Sequence, residues 1–196
     1  MVKKEKMSTR TMVLGALLTA IVVVLQFAGA SIRFGTFSVS LVLIPIVIGA
    51  ITCGKTIGAW LGFVFGIVVL ASGDAAPFWA VNTLGTITTV LAKGIACGFV
   101  SGLVYEIIFK LAGKSYGSAI AAAIVCPIVN TGVFLIGCVI FFMETVAEWG
   151  EGLGFGSNVG QYMIVGLVGV NFLFEMAVNI VFAPAIAHII KVASRK

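Results

Sequence analysis

Lys93 and Glu175 sit inside long apolar stretches of a chain whose other charged residues nearly all fall between such stretches. A charged side chain near the centre of a membrane helix costs about 2.5–3.5 kcal/mol on insertion scales, so one that stays there normally faces a cavity, a partner or a ligand. Polar residues recur at helical spacing around both. On the stretch that carries the lysine, Thr86, Thr89 and Lys93 fall at i, i+3 and i+7, and around the glutamate Asn171, Glu175 and Asn179 fall at i, i+4 and i+8. Each set makes one polar stripe. Asn130 and Thr131, beside Pro127, put polar groups at mid-depth on a third stretch.

Such stripes on neighbouring helices line a pocket open to the outside, floored by apolar residues. The alternative is an interhelical hydrogen-bond network that only holds the bundle together. Both readings stay open for the asparagines; for Lys93 the ligand-binding reading is preferred. Counting 1.5 Å per residue from the outer ends puts Lys93 about 10 Å deep and Glu175 about 20 Å, so a direct ion pair is not assured. If the two stand apart, the lysine is left for a ligand anion, and Glu175 is protonated or hydrogen-bonded to Asn171 and Asn179. Glu106 and His188, near the other ends of their stretches, read as interfacial residues.

The elements that position these residues follow from composition. With 61% hydrophobic residues, 10% charged residues and a mean hydropathy of +1.22, the 196-residue chain has too little polar surface to clothe a soluble core. It reads as an integral membrane protein. Unpaired backbone groups are not tolerated in lipid, and the apolar runs lack the alternation of a barrel, so the spans are helices. Windows near the ~20 residues needed to cross run approximately Thr11–Gly29, Ser38–Cys53, Thr56–Ala71, Leu84–Phe109, Ser118–Met143 and Gln161–Ile190. The expected fold is therefore an all-α membrane protein, a six-transmembrane-helix bundle in a single domain, 1–196. The second and third spans are short and joined at Gly54-Lys55, and Pro45, Pro127 and Pro184 are expected to kink the spans that hold them.

Basic residues set the orientation. Lys3, Lys4, Lys6 and Arg10 precede the first span, Lys55 follows the second, Lys110 and Lys114 the fourth, and Lys191, Arg195 and Lys196 the sixth. The opposite connections hold Arg33, Asp74, Glu144, Glu148 and Glu151, which puts both termini in the cytoplasm. The formal net charge of +5 is thus a topology signal rather than a nucleic-acid footprint. A basic start followed by an apolar run and Ala28-Gly29-Ala30 resembles a signal peptide, yet the run exceeds the usual 7–15 residues and no soluble domain follows it. The outer connections, Ser31 to Phe37, Ser72 to Thr83 and Thr145 to Gly160, carry Trp79, Asn82, Trp149 and Asn158. Long glycine-containing loops over a bundle mouth suit lids, and interfacial anchoring serves equally well for the two tryptophans.

Other motifs resolve to structure. Gly49 to Thr56 matches the G-x-x-x-x-G-K-[ST] phosphate loop formally, but it lies in a turn between two apolar spans without a strand or an acidic magnesium partner. Gly54, Gly58, Gly62 and Gly66 recur every fourth residue, a surface on which another helix packs closely; Ala16 and Ala20 form a smaller version that serves internal packing or docks another subunit. Cys53, Cys97, Cys126 and Cys138 lack CxxC spacing and read as buried small hydrophobes. One histidine, no HExxH and no paired aspartates leave no catalytic constellation, metal site or cofactor site, so no enzyme is expected. No ATPase module is present either.

Ala16-Leu17-Leu18-Thr19-Ala20, Leu43-Ile44-Pro45-Ile46-Val47-Ile48-Gly49-Ala50, Gly54-Lys55-Thr56-Ile57-Gly58-Ala59 and the segment Asn171 to Pro184, in this order behind a basic N-terminus, resemble the substrate-binding S components of energy-coupling factor (ECF) vitamin transporters. The resemblance covers essentially the whole chain. It implies a subunit of a prokaryotic cell membrane that captures a vitamin under its first, third and fifth connecting loops and topples to release it inside. It further implies a membrane coupling subunit, contacted through an alanine pair that corresponds to Ala16 and Ala20, and two cytoplasmic ATPases. Expected substrate-binding residues are Arg33, Asn82, Thr86, Thr89, Lys93, Asn130, Asn171 and Glu175. Lys93 with Arg33 favours an anionic vitamin. Within the subfamily of pantothenate, cobalamin, folate and riboflavin binders that the chain resembles, pantothenate is the first choice; the riboflavin-type loop, with aspartate beside serine after the first helix, is not evident. Readings from other classes are a secondary transporter or channel subunit with Lys93 and Glu175 as an ion or proton relay, and a purely structural membrane protein.

Overall fold

The computed structural model describes residues 8–30, 33–34, 37–38, 41–113 and 115–193, with side chains described except at 30, 33–34, 37–38, 115 and 186–193. Most of the described residues are helical. It is an all-α membrane protein, in which one two-residue antiparallel ladder, β1 (Arg33–Phe34) with β2 (Phe37–Ser38), pairs Arg33 with Ser38 and Phe34 with Phe37. The helices are α1 (Thr9–Ala30), α2 (Leu43–Thr52), α3 (Lys55–Ser72), α4 (Ala76–Trp79), α5 (Thr83–Ala112), α6 (Ser115–Phe141), α7 (Met143–Gly152), α8 (Val159–Gln161) and α9 (Gly169–Ala193), with a π-helical turn, Tyr162–Leu167, between the last two.

Four helices, α1, α3, α5 and α6, are long and apolar enough to cross a membrane, and the pair Val159–Leu167 and Gly169–Ala185, bent by 44°, makes a fifth if taken as one span. The second expected span is the shorter α2, at ten residues. At 1.5 Å per residue it reaches about 15 Å, half the ~30 Å hydrocarbon thickness. It is a core element: Leu43, Ile46 and Val47 are fully buried. Pro45 falls in its first turn, where the missing N–H leaves no intrahelical bond unmade, so the kink expected there does not arise. Pro127 and Pro184 do lie inside α6 and α9.

The centre of the bundle is the seam between α3 and α5, flanked by α1 and α2 on one side and by α6 and then α9 on the other. The glycines of α3 create it. A Cβ on Gly62 would strike the Gly94 carbonyl, one on Gly58 the Gly98 carbonyl, and one on Gly98 the Gly58 carbonyl. Two backbones thus meet without side chains between them, as the four-residue spacing predicts. Gly54 adopts φ +94° to reverse the chain from α2 into α3, and Gly73 adopts φ +83° to end α3, both outside the range that L side chains favour.

The outer connections are more ordered than loops. Ser72 to Thr83 contains α4, and Thr145 to Gly160 is largely α7, whose Val146 is buried while Glu144 and Glu148 are exposed. Glu144 sits in the first turn of α7, where the helix dipole favours an acid. A second core gathers here. Phe78 of α4 makes edge contacts with Phe134, Phe142 and Trp149 at ring separations of 5.5, 4.9 and 5.3 Å. Trp149 is therefore a packing residue of this cap, whereas Trp79 is exposed.

Candidate functional site

Under the aromatic cap the outer halves of α1, α3, α5, α6 and α9 enclose a cavity. The volume open to water centres is about 70 Å³. At about 10–15 Å³ per water that is room for roughly five to seven waters. Thr86, Thr89 and Lys93 line it from α5, Asn130 and Thr131 from α6, and Asn171 and Glu175 from α9, so the three polar stripes of the sequence converge on one space.

Asn82 is the N-cap of α5: its Oδ1 accepts from the Gly85 N–H at 2.9 Å and its carbonyl accepts from the Thr86 hydroxyl at 2.8 Å. It is not part of the cavity wall. Lys93 lies ten residues beyond the helix start, about 15 Å along the axis. Thr86 and Thr89 are almost wholly buried on the same face. Gly137 of α6 leaves the space that the Thr89 side chain fills, which brings α6 close to α5 at this depth. The side chain of Arg33 lies outside the described residues.

The Lys93 ammonium stands 5.7 Å from the ring centre of Phe65 and 5.3 Å from that of Phe134, within cation–π range of both. Among the described residues it makes no ion pair and no hydrogen bond, although Glu175 lines the same cavity. The depth count for Glu175 assumed one straight helix from Gln161. The π turn and the 44° bend at Val168 break that helix, leaving Glu175 six residues into α9, about 9 Å past the break. Asn179, buried one turn further on, donates from Nδ2 to the Glu175 backbone carbonyl at 2.8 Å and is not part of the wall.

Three polar residues of the wall, Gln26, Asp74 and Thr131, did not figure among the expected site residues. Gln26 of α1, 2% exposed, donates from Nε2 to Asp74 Oδ2 at 2.6 Å, tying the end of α1 to the turn after α3. A buried glutamine in an otherwise apolar span carried a signal of the same kind as Lys93. Phe65 and Phe134 carried none, because an aromatic residue in an apolar run has the same sequence signature whether it fills a core or cages an ammonium.

At the far end of the bundle Lys55 Nζ meets Glu106 Oε2 at 2.8 Å, both about one-third exposed. This places the α2–α3 turn and the inner end of α5 on the same side, opposite the cavity. Ala16 and Ala20 are exposed on α1.

The family model for the substrate-specific component of ECF transporters matches residues 10–187, nearly the whole chain. The chain belongs to that family. A comparison with curated proteins found no match. As an ECF substrate-specific component it is a multi-pass membrane protein and a transporter subunit rather than an enzyme, and it works with ECF coupling and ATPase modules on a small-molecule substrate. What these residues can do chemically suits that role: one ammonium, two carboxylates, amide and hydroxyl side chains on facing helices and aromatic walls make a receptor for a small polar molecule.

Proposed function

We propose that this protein is the high-affinity vitamin-binding subunit of an ECF-type importer of the prokaryotic cell membrane. Its substrate enters the cavity beneath α4 and α7 and is held by Thr86, Thr89, Lys93, Asn130, Asn171 and Glu175, with Arg33 assigned to the same site. The observation that carries the reading is the Lys93 ammonium, sheltered inside the bundle between Phe65 and Phe134 and without a carboxylate partner among the described residues. A charge kept there at a cost of order 2.5–3.5 kcal/mol has a ligand to meet. Anionic vitamins satisfy it, and pantothenate remains the first choice, with cobalamin, folate and riboflavin behind it.

The basic residues around the Lys55 end support cytoplasmic termini and an outward-facing cavity. Release then follows by toppling of the bundle against the coupling subunit, which docks on the α1 face that exposes Ala16 and Ala20, with two cytoplasmic ATPases supplying the energy. A chain with so few charges in its spans is suited to such a reorientation. Mass spectrometry of small molecules released from gently purified protein tests the reading directly. Recovery of a water-soluble vitamin in near-equimolar amount is expected. Folded protein that releases lipid alone, and binds no vitamin when titrated, refutes it.

A further inference from the structure

The cavity wall specifies what its occupant must offer. Thr89 Oγ1, Asn130 Oδ1 and Asn171 Oδ1 are buried and have no hydrogen-bond partner among the described residues. Thr89 and Asn130 are themselves 4% and 5% exposed. Thr89 departs from its helix neighbours, since Thr86 and Thr88 each donate to the carbonyl one turn back and Thr89 does not. Buried polar atoms without partners are rare and costly, and three of the four found among the described residues belong to this wall, the fourth being Asn179 Oδ1 one turn beyond Glu175. Asp74 and Glu175 share the wall with Lys93, and Asp74 accepts from the Gln26 amide.

We propose that the occupant is a compact carboxylate that also carries hydroxyl or amide N–H donors, its anion meeting Lys93 and its donors meeting the carbonyls of Asn130 and Asn171 and the hydroxyl of Thr89. This rests on the reading of the cavity as the substrate site. A neutral polyol leaves the ammonium only the wall's own carboxylates as counter-charge. An acid lacking donors leaves the amide carbonyls orphaned, and an ammonium-bearing ligand sets like charges together. Sites built to hydrogen-bond a group reject analogues lacking it far more strongly than apolar pockets reject a missing methylene. The space, roughly five to seven waters at about 10–15 Å³ each, selects for compactness and against a corrin. Of the four vitamins considered, pantothenate satisfies every condition.

The test is equilibrium binding of the purified full-length chain in nanodiscs to seven probes: pantothenate and biotin, compact acids with donors; nicotinate, an acid without them; riboflavin, a neutral polyol; thiamine, a cation; and folate and cobalamin, which are oversized. Tight binding confined to pantothenate or biotin is expected, with the others at least 100-fold weaker. If the tightest ligand is any of the other five, the chemical class is wrong while the cavity remains a vitamin site. If none binds, the reading of the cavity falls and the inference with it. For the probe that binds, the analogue with its carboxylate replaced by a neutral group, panthenol or biotinamide, is expected to bind at least tenfold more weakly, and Lys93→Met is expected to abolish that difference. An analogue as tight as the acid overturns the assignment of the anion to Lys93. Thr89→Val, nearly isosteric, is expected to weaken binding at least fivefold, and unchanged affinity removes Thr89 from the contact.

Discussion

Replacing Lys93 by methionine separates a lysine kept for a ligand from one that holds the bundle together, because the two roles predict opposite signs. Methionine preserves most of the side-chain volume and removes the charge. In the ligand-free protein the ammonium costs about 2.5–3.5 kcal/mol for its depth. The rings of Phe65 and Phe134, at 5.7 and 5.3 Å, return part of it, about 0.5–1 kcal/mol each at the lower end of the cation–π range. No ion pair among the described residues offsets the rest, although Glu175 and Asp74 on the same wall attract the ammonium and lower that cost. Roughly 0.5–2.5 kcal/mol of destabilisation remains, reduced further by whatever water reaches the cavity. Lys93→Met is therefore expected to leave the ligand-free protein as stable or more stable, raising Tm by at most about 1–10 °C at 2–4 °C per kcal/mol.

Affinity should move the other way. A charge-assisted hydrogen bond is worth about 1.5–3 kcal/mol, which converts to roughly 10–150-fold in Kd. Thermal unfolding without ligand and calorimetric titration of the same nanodisc preparation read both numbers. A lowered ligand-free Tm with affinity within twofold of wild type would show that the lysine is structural, and the reasoning from its burial would fail.

Three further outcomes are expected. Gly62→Ala drives a methyl into the Gly94 carbonyl and should destabilise the bundle by about 2 kcal/mol or more, overpacking at backbone contact being at the costly end of such changes; wild-type Tm would mean that the α3–α5 seam is looser than described. Asn82→Ala removes the cap on Gly85 N–H and should cost about 1 kcal/mol of stability with affinity within threefold, whereas a tenfold affinity loss would make Asn82 a ligand contact. Leucine at both Ala16 and Ala20, on the exposed face of α1, should abolish uptake in cells expressing the coupling subunit and ATPases while leaving binding by the isolated chain intact; normal uptake would dissociate that face from docking.

What could be read from the chain depended on periodicity. Thr86, Thr89 and Lys93 share a helical face by arithmetic alone, and all three reach the cavity. The glycine spacing of α3 likewise specified a close helix crossing, though not that Gly94 and Gly98 of α5 stand opposite. Features set by tertiary approach were out of reach. The Gln26–Asp74 bond joins residues 48 positions apart, and neither residue sits in a stripe that marks it. The break at Val168 had a local signal, Gly166 and Gly169 on either side of it, and a Cβ on Gly169 would press on the Ile164 carbonyl at 2.8 Å. Reading Gln161 to Ile190 as one straight span passed over that pair, so the depth counted for Glu175 rested on a helix that is in fact bent. Asn82 preceded a long apolar run, the position of an N-cap, so its capping role was open to view beside the binding role given to it.

The seam and the cavity are one construction. Gly94 follows Lys93 directly, and a Cβ built on it would touch the Phe65 ring at 3.5 Å, so the close approach of α3 to α5 is what delivers that ring to the ammonium. The second ring, Phe134, comes from α6, held near α5 where Gly137 makes room for Thr89. One side of the site is thus fixed by backbone contacts that tolerate no added atom. The other side is lined by Phe142, Val168 and the bent start of α9, which follows a π turn whose hydrogen bonding is the less regular kind that recurs at functional sites. A receptor that must close over a small solute and later release it needs this asymmetry: a rigid wall to hold the charge in register, and a wall whose helix is already broken to move.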